Sequence, residues 1–278
     1  MAKSNVIITF SDSKYGNFLV NDWLSSLKEN VDLKDTDIVV LDYGLNETQR
    51  SNLKKSGVKI IKCVRDGKIV VIRFRDMSAF LRKSDYLQVL ECDGGDIIFQ
   101  SNISPLFKEN KDKLRAACEY YPPRFNELAS FQESIDPGLM KDIRKYTSGK
   151  RMVNAGMLLG PRKKFIEMCD FCYSNIRNKE KFGPDQSLIN YFLYKHGFVE
   201  LDPGYNFIIY TTNRKFYIKE GRFFFKDGTL IPIVHNAGMN SFIRGIEDFG
   251  YGSSKNRLKR FRFYIFRAFF KTVNSFKK

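Results

Sequence analysis

The sequence predicts a single α/β domain built on a mostly parallel sheet with flanking helices. Residues 5–61 alternate short apolar runs with amphipathic stretches in the order β-α-β-α-β. This alternation is typical of parallel strands joined by right-handed helical crossovers. The 278 residues are 43% hydrophobic and 28% charged and include 26 Phe, a composition that excludes a disordered or collagen-like chain.

Each element is predicted from its local pattern. Apolar runs rich in β-branched residues and ended by Ser, Asp or Gly predict strands, at residues 5–10, 37–41, 59–61, 86–92, 97–99 and 151–160. Apolar residues three and four positions apart predict helices, at residues 18–27, 47–55, 78–83, 163–176 and 185–194. Residues 108–150 are more polar, and we expect loops and short helices there. Residues 221–236 predict strands and turns.

Candidate functional residues follow the predicted strands, because ligands bind beyond the carboxyl ends of parallel strands. The segments concerned are residues 11–15, residues 42–46 and Asp93-Gly94-Gly95-Asp96. Two carboxylates there would hold a divalent cation, and glycines would let a diphosphate approach the backbone. A plain tight turn has the same composition, so the pattern alone leaves both interpretations open. Asp35 and Asp37 precede their strand and predict a solvated turn.

The chain contains only two histidines, His196 and His235. His196 lies at a predicted helix C-terminus, where a basic side chain interacts favourably with the helix dipole, and we predict a structural role. His235 follows the apolar run 230–234 and lies at a strand end. Such a histidine is either hydrogen-bonded or a metal ligand.

Five scattered cysteines indicate reduced thiols rather than a disulfide framework. No apolar run reaches the ~20 residues that span a bilayer, and no secretory signal is recognisable. We therefore expect a cytoplasmic protein. Cys169 and Cys172 have C-x-x-C spacing without a second ligand pair nearby, which predicts two buried helical thiols.

The charge is concentrated in residues 251–278, which we call the tail. The tail has nine basic and no acidic residues, which leaves +7 of the total +16 for residues 1–250. Its apolar residues predict one face of a helix, formed by Leu258, Phe261, Ile265, Phe269, Val273 and Phe276. A basic helix with such a face is typical of helices that lie in the surface of an anionic membrane. The alternative is a last helix that packs on the body.

Six segments in register resemble a known family. They are FSDSKY (10–15), VLDYGL (40–45), DGGDIIFQSNISPLF (93–107), VNAGMLL (153–159), DQSLIN (185–190) and HNAG (235–238). Together they resemble glycosyltransferase family 8, whose members include bacterial lipopolysaccharide and lipooligosaccharide galactosyl- and glucosyltransferases. The resemblance implies a Rossmann-like GT-A fold, with a catalytic domain at residues 1–250 and the tail at the inner face of the cell membrane.

The resemblance also implies roles for single residues. Asp12 would hydrogen-bond uracil, and Tyr15 would help to hold the nucleotide. Asn154 would touch the donor sugar, Asp185 would bind sugar hydroxyls, and Gln186 would face the anomeric carbon. Metal ligands for Mn²⁺ or Mg²⁺ would be Asp96, His235 and Asp93. Further nucleotide-sugar contacts would come from Thr9, Asp93, Gly95 and Gly238.

The implied reaction transfers a hexose from UDP-galactose or UDP-glucose, with retention, to a surface glycan or lipid-linked acceptor. A metal would neutralise charge on the leaving diphosphate. Gln186 is a neutral amide and a poor nucleophile, which favours front-face attack over a covalent intermediate. Acceptor contacts would come from residues 108–150 and 205–225.

Two positions depart from the family pattern. The first Asp of the D-x-D motif falls on Gly94, so either Asp93 bulges into its place or Asp96 and His235 hold the metal with fewer ligands. The phosphate-binding Lys falls near Ser241, and Arg244 is the nearest basic substitute.

Other function classes compete with this one. A nucleic-acid-binding protein would use the basic charge and aromatic residues, but it leaves Asp93, Asp96 and His235 unexplained. A sugar-1-phosphate nucleotidyltransferase would open with a glycine-rich loop, which this chain lacks. A catalytically degenerate GT-A protein would be consistent with Gly94.

Overall fold

The computed structural model describes residues 3–120, 132–238, 244–252 and 256–275. Its helices are α1 (Ser13–Phe18), α2 (Ser25–Asn30), α3 (Glu47–Lys55), α4 (Ile69–Arg82), α5 (Pro137–Thr147), α6 (Arg162–Asn175), α7 (Pro184–His196) and α8 (Arg260–Ser275). The strands of the central sheet are β1 (Asn5–Ser11), β2 (Thr36–Asp42), β3 (Lys59–Lys62), β4 (Gln88–Cys92), β6 (Arg115–Cys118), β7 (Val153–Pro161) and β8 (Val199–Leu201). Shorter strands form separate antiparallel pairs. β5 (Ile97–Phe99) pairs with β11 (Ile233–His235), β9 (Phe216–Lys219) with β10 (Arg222–Phe225), and β12 (Ile246–Glu247) with β13 (Arg257–Leu258).

The central sheet confirms the predicted α/β class. Its strand order is β3-β2-β1-β4-β7-β6-β8, and β3, β2, β1 and β4 run parallel. β7 is antiparallel to both β4 and β6, while β8 is parallel to β6. Ser11 pairs with Asp42 at the ends of β1 and β2. The loops that follow these strands therefore leave the sheet at one edge.

Two apolar layers cover the sheet. Val6 and Ile8 pack in a cluster with residues of α4, α6 and α7, whereas Ile7 packs on the other face with Trp23. Because both faces are covered, the strands are continuous apolar runs rather than alternating ones. Cys169 and Cys172 are fully buried free thiols in α6, as predicted.

Two regions differ from the predicted elements. Helix α4 begins at Ile69, nine residues before the prediction of 78–83, because its β-branched first turn is more typical of a strand. The polar region 108–150 contains the buried strand β6 as well as α5. Asp136 caps α5 by accepting hydrogen bonds from the N–H groups of Gly138 and Leu139 at 2.8 and 3.2 Å.

The predicted tail helix is present as α8, but it begins at Arg260, and Leu258, which was predicted on its apolar face, lies instead in β13 opposite Ile246. The helix has two apolar sides. Phe263 is 6% exposed and packs on Tyr210 and Phe216 of the body. Phe261, Ile265 and Phe269 lie on the exposed side, at 79%, 50% and 53% exposure. The side chain of Val273, residues 253–255 and Phe276 lie outside the described residues. Among the helices described, none has the length and apolar character needed to cross a membrane.

Candidate active site

A cavity of about 440 Å³ opens where β1 and β4 end; we call it the strand-end cavity. It brings together residues that are far apart in the sequence. The predicted site residues that line it are Asp12, Tyr15, Asp93, Gly95, Asp96, Asn154, Asp185, Gln186, His235 and Gly238. Thr9 does not line the cavity, because it is fully buried beneath Gly94.

Asp93, Asp96 and His235 form the polar centre of this cavity. One ligand atom from each lies within 4.8 Å of the others. The Nε2 atom of His235 lies 3.3 Å from Oδ1 of Asp96 and 3.6 Å from Oδ2 of Asp93. The pairing of β11 with β5 brings them together, because His235 is opposite Ile97 and the Asn236 N–H donates to the Asp96 carbonyl. Two carboxylates and an imidazole suit a divalent cation.

Three glycines at the cavity wall have neighbours too close for a side chain, and one of them, Gly156, lies directly against the cluster. A Cβ atom on Gly94 would lie 2.5 Å from Oγ1 of Thr9, and one on Gly95 would lie 2.9 Å from Cδ1 of Tyr15. A Cβ on Gly156 would lie 2.4 Å from Cε1 of His235 and 2.7 Å from Oδ2 of Asp93. Position 94 therefore has no room for a carboxylate. Asp93 lies in the cluster instead. Of the two alternatives given for the missing first Asp of the D-x-D motif, this geometry matches the one in which Asp93 takes its place.

A series of hydrogen bonds through two amide side chains orients His235 on the Nδ1 side of its ring. Its Nδ1 atom lies 2.8 Å from Oδ1 of Asn206, and Nδ2 of Asn206 donates to Oδ1 of Asn154 at 3.1 Å. Nδ2 of Asn154 in turn donates to Oε1 of the buried Glu119 at 2.8 Å. Because the Asn206 amide nitrogen is already a donor, its oxygen accepts from Nδ1–H of His235, so in the neutral imidazole Nε2 presents its lone pair to the carboxylates.

Burial and charge shift the pKa values of these groups. Burial and repulsion from Asp96 raise the pKa of Asp93. Burial alone would lower the pKa of His235, but attraction to Asp96 and Asp93 outweighs it, so the pKa is raised. A bound cation would reverse this balance, because it favours ionised carboxylates and neutral imidazole.

Arg73 is a buried cavity residue that sequence reasoning missed. Its guanidinium lies 2.8 Å from Glu91, 3.4 Å from Asp93 and 3.6 Å from Asp185, and stacks 4.6 Å from the Phe10 ring. Burial raises the pKa of Glu91 to about 7. One signal was available: Arg73 and Glu91 are charged residues that directly follow the apolar runs 69–72 and 89–90. Such charges are buried only when they are paired.

Asp12 and Tyr15 line the cavity where β1 leads into α1. Oδ1 of Asp12 caps α1 by accepting from the Lys14 N–H at 3.0 Å, and its Oδ2 lies 3.0 Å from Nη1 of Arg65. The guanidinium of Arg244 lies 5.7 Å from the Tyr15 ring centre and 3.0 Å from Asp96. Ser241, the other candidate for the phosphate-binding position, lies outside the described residues.

Gln186 and Asp185 lie in the first turn of α7, which starts after Gly183 in a left-handed conformation (φ 106°). Oε1 of Gln186 accepts from the Ala155 N–H at 3.1 Å, and its Nε2 donates to the Val153 carbonyl. The amide therefore ties α7 to the start of β7 at the cavity wall. Burial raises the pKa of Asp185, while Arg73 opposes the rise.

Solved structures with a similar fold provide an independent comparison. An active-site mutant of LgtC matches with a TM-score of 0.58 at 16% identity, over 95% of each chain. The galactosyltransferase LgtC in complex with donor and acceptor sugar analogues matches with a TM-score of 0.54 at 17% identity, again over 95% of each chain. The chain therefore has a GT-A fold like that of LgtC. No protein-family model and no curated protein sequence matches it.

Proposed function

We propose that this protein is a metal-dependent, retaining glycosyltransferase of family 8 that transfers a hexose from UDP-galactose or UDP-glucose. The observation that carries the proposal is the Asp93–Asp96–His235 cluster inside the strand-end cavity of a GT-A fold. Support also comes from LgtC, a galactosyltransferase solved with donor and acceptor sugar analogues.

The cluster fits Mn²⁺ or Mg²⁺ because its oxygen and nitrogen atoms converge and Gly156 leaves space beside them. Asp93, Asp96 and His235 would hold the ion, which would supply positive charge beside the leaving diphosphate. Gly95 and Gly238 would let the diphosphate approach the backbone. Arg244, 3.0 Å from Asp96, would add a second positive charge at the same edge.

Gln186 and Asp185 would act on the sugar side. Asp185 would accept hydrogen bonds from sugar hydroxyls, and Asn154 would orient the ring. Gln186 would lie beside the anomeric carbon. Its carbonyl oxygen accepts from the Ala155 N–H, and the second lone pair of that oxygen would face developing positive charge, while a neutral amide is a poor nucleophile. This arrangement favours attack by the acceptor hydroxyl on the face from which UDP departs, and hence retention.

The acceptor would be a glycan or glycolipid, which the enzyme would bind at the cytoplasmic face of an anionic membrane. Phe261, Ile265 and Phe269 of α8 are exposed, and the tail carries nine basic residues. Both properties suit reversible binding to anionic lipid. In this proposal residues 1–250 form the catalytic domain and residues 251–278 the membrane-associating tail.

The test is a screen of UDP-sugars for Mn²⁺-dependent release of UDP. We expect Asp96→Ala and His235→Ala each to lower turnover at least ~100-fold, the scale of losing one preorganised electrostatic contact. Asp35→Ala, which removes a carboxylate outside the cavity, is the matched control. Full activity of Asp96→Ala in EDTA would contradict the metal role, and an inverted product would contradict retention. Binding of UDP without transfer would identify a degenerate GT-A protein.

A further inference from the structure

Three further cavities form a series that starts at the strand-end cavity, in which each cavity shares wall residues with the next; we call this series the line. The first, the polar cavity, has about 450 Å³ and shares Asn154 with the strand-end cavity. The second, the bridging cavity, has about 460 Å³ and shares Arg214 with the polar cavity. The third, the basic groove, has about 770 Å³ and shares Lys215 and Lys226 with the bridging cavity. The line therefore leads from Asn154 to α8.

The polarity of the lining changes along this line. The polar cavity contains the carboxylates of Glu119, Glu200 and Asp202 together with threonine hydroxyls and two arginines. The bridging cavity is lined by three cations and one exposed carboxylate, Asp227. The basic groove is lined by Phe216, Tyr217, Phe263 and Tyr264 with three cations. No carboxylate among the described residues lines the basic groove.

Lys215 and Lys226 border both the bridging cavity and the basic groove, and Asp227 is the one carboxylate among the described residues that line the bridging cavity with them. They lie opposite each other at the end of the β9–β10 pair, where the Lys226 N–H donates to the Lys215 carbonyl at 3.0 Å. Like charges directly opposite on paired strands are destabilising. Both side chains are exposed, and neither makes an ion pair with another described residue. An anion between them would relieve the repulsion.

We infer that the basic groove and the bridging cavity bind the phosphate and the adjoining alkyl chain of a lipid-linked acceptor, whose sugar lies in the polar cavity. The inference rests on the proposed function and names its acceptor class. The groove borders Tyr264, which is 66% exposed on α8, so an alkyl chain leaving it would continue along α8 into a membrane. The cavity linings change from polar to basic to apolar along the line. A lipid-linked acceptor has its sugar, its phosphate and its alkyl chain in the same order. A nucleic acid fits less well, since the carboxylates of the polar cavity would repel a polyanion.

The test measures binding of dodecyl phosphate, below its micelle concentration, to the full chain by calorimetry. We expect Lys215→Ser/Lys226→Ser to weaken binding at least about tenfold, since charge-assisted hydrogen bonds are lost. Ala268→Trp would narrow the groove from the α8 side without changing the charge, and we expect it to weaken binding as well. The matched control is Lys108→Ser/Lys111→Ser, an equal loss of charge at exposed lysines that line none of these cavities.

Two comparison ligands separate the sources of affinity. Dodecyl glucoside, a neutral amphiphile, and inorganic phosphate should each bind much more weakly than dodecyl phosphate. Equal binding of inorganic phosphate would indicate a free-phosphate site and overturn the inference, as would equal loss in the control variant. A short single-stranded oligonucleotide that displaces dodecyl phosphate would favour the nucleic-acid alternative. Dodecyl phosphate binding by a protein that releases no UDP would refute the transferase proposal but leave the groove assignment standing.

Discussion

The Nδ1 atom of His235 lies 2.8 Å from Oδ1 of Asn206, and this contact fixes which imidazole nitrogen faces the two carboxylates. Asn206 is itself held by Asn154, which is held by Glu119. The orientation of the candidate metal ligand thus depends on residues from β7, from the position after β6 and from the segment between β8 and β9.

Asn206 should therefore control metal affinity without touching the metal. We expect Asn206→Ala to weaken Mn²⁺ binding about 10- to 100-fold, the usual effect of removing a ligand's hydrogen-bond partner. Free Mn²⁺ measured by electron paramagnetic resonance gives the affinity without an activity assay. Asn206→Asp keeps an acceptor for the Nδ1–H group and should restore most of the affinity. Equal affinity of the alanine variant and the wild type would contradict this role.

Gln186 should influence the chemical step more than donor binding. We expect Gln186→Ala to lower kcat about 100-fold with little change in donor KM, because its dipole matters most when positive charge develops at the anomeric carbon. Its amide also ties α7 to Val153 and Ala155. Asn190→Ala is the control, since Asn190 bonds the Val153 backbone from the same helix without lining the cavity. The same kcat loss in both variants would mean that Gln186 only supports β7.

Asp42 should make folding stability depend on acid pH. Burial alone would raise its pKa, but hydrogen bonds from Arg50 and from the N–H groups of Leu45 and Gly44 outweigh it, and the pKa is lowered. A lowered carboxyl pKa stabilises the fold above the unfolded-state value near 4 and loses this effect as the pH falls below it. We expect Asp42→Asn to cost ~1.5–3 kcal/mol at pH 7 and much less at pH 2.

Urea denaturation at both pH values measures the Asp42 effect. Asp112→Asn, at a carboxylate whose side chain is 79% exposed, is the control and should change little at either pH. A loss of stability in Asp42→Asn that is the same at both pH values would mean that the ionised carboxylate contributes nothing.

The exposed side of α8 should bind anionic vesicles. We expect the triple variant Phe261→Ser/Ile265→Ser/Phe269→Ser to sediment less with such vesicles than the wild type, at unchanged net charge and unfolding temperature. High salt should release the wild type, because it shortens the range of attraction to the lipid. Val64→Ser/Leu87→Ser removes exposed apolar side chains from the body and should leave binding unchanged. A lower unfolding temperature in the triple variant would indicate a packed helix face instead.

Substitution is a cleaner test of the tail than truncation. Asn256 hydrogen-bonds the carbonyls of Gly221 and Gly250, and Phe263 packs on Tyr210. Removal of residues 251–278 would therefore expose body residues in addition to removing the apolar side of α8. The domain boundary at residue 250 remains a prediction.

The central sheet was predicted well from the sequence. Its strands are buried on both faces, so they are continuous apolar runs, and most of these runs end at Gly, Asp or Ser. The strand pattern indicated the Asp93–Asp96 pair, but only the family resemblance implied that His235 would join it, because the antiparallel pairing of β11 with β5 cannot be read from local pattern. The start of α4 was not predictable from local pattern, because an apolar β-branched run fits a strand as well as a helix. Arg73 left a signal, a charge directly after an apolar run, but its carboxylate partners come from other elements and could not be read from that run. Asn206 and Glu119 were missed for another reason: they act through other side chains, and such roles leave no motif.

The strand-end cavity and the polar cavity share Asn154 and no other described residue. The walls of the polar cavity come mainly from residues 117–120 and 200–214, whereas the part of the strand-end cavity around Asp12 and Tyr15 comes from the first 96 residues. Substitutions in the residues that line one cavity can therefore accumulate with little effect on the shape of the other cavity. Under the proposed function, a lineage of such proteins could exchange one acceptor for another by altering a few loops after residue 200, while the residues around Asp12 and Tyr15 stay constant.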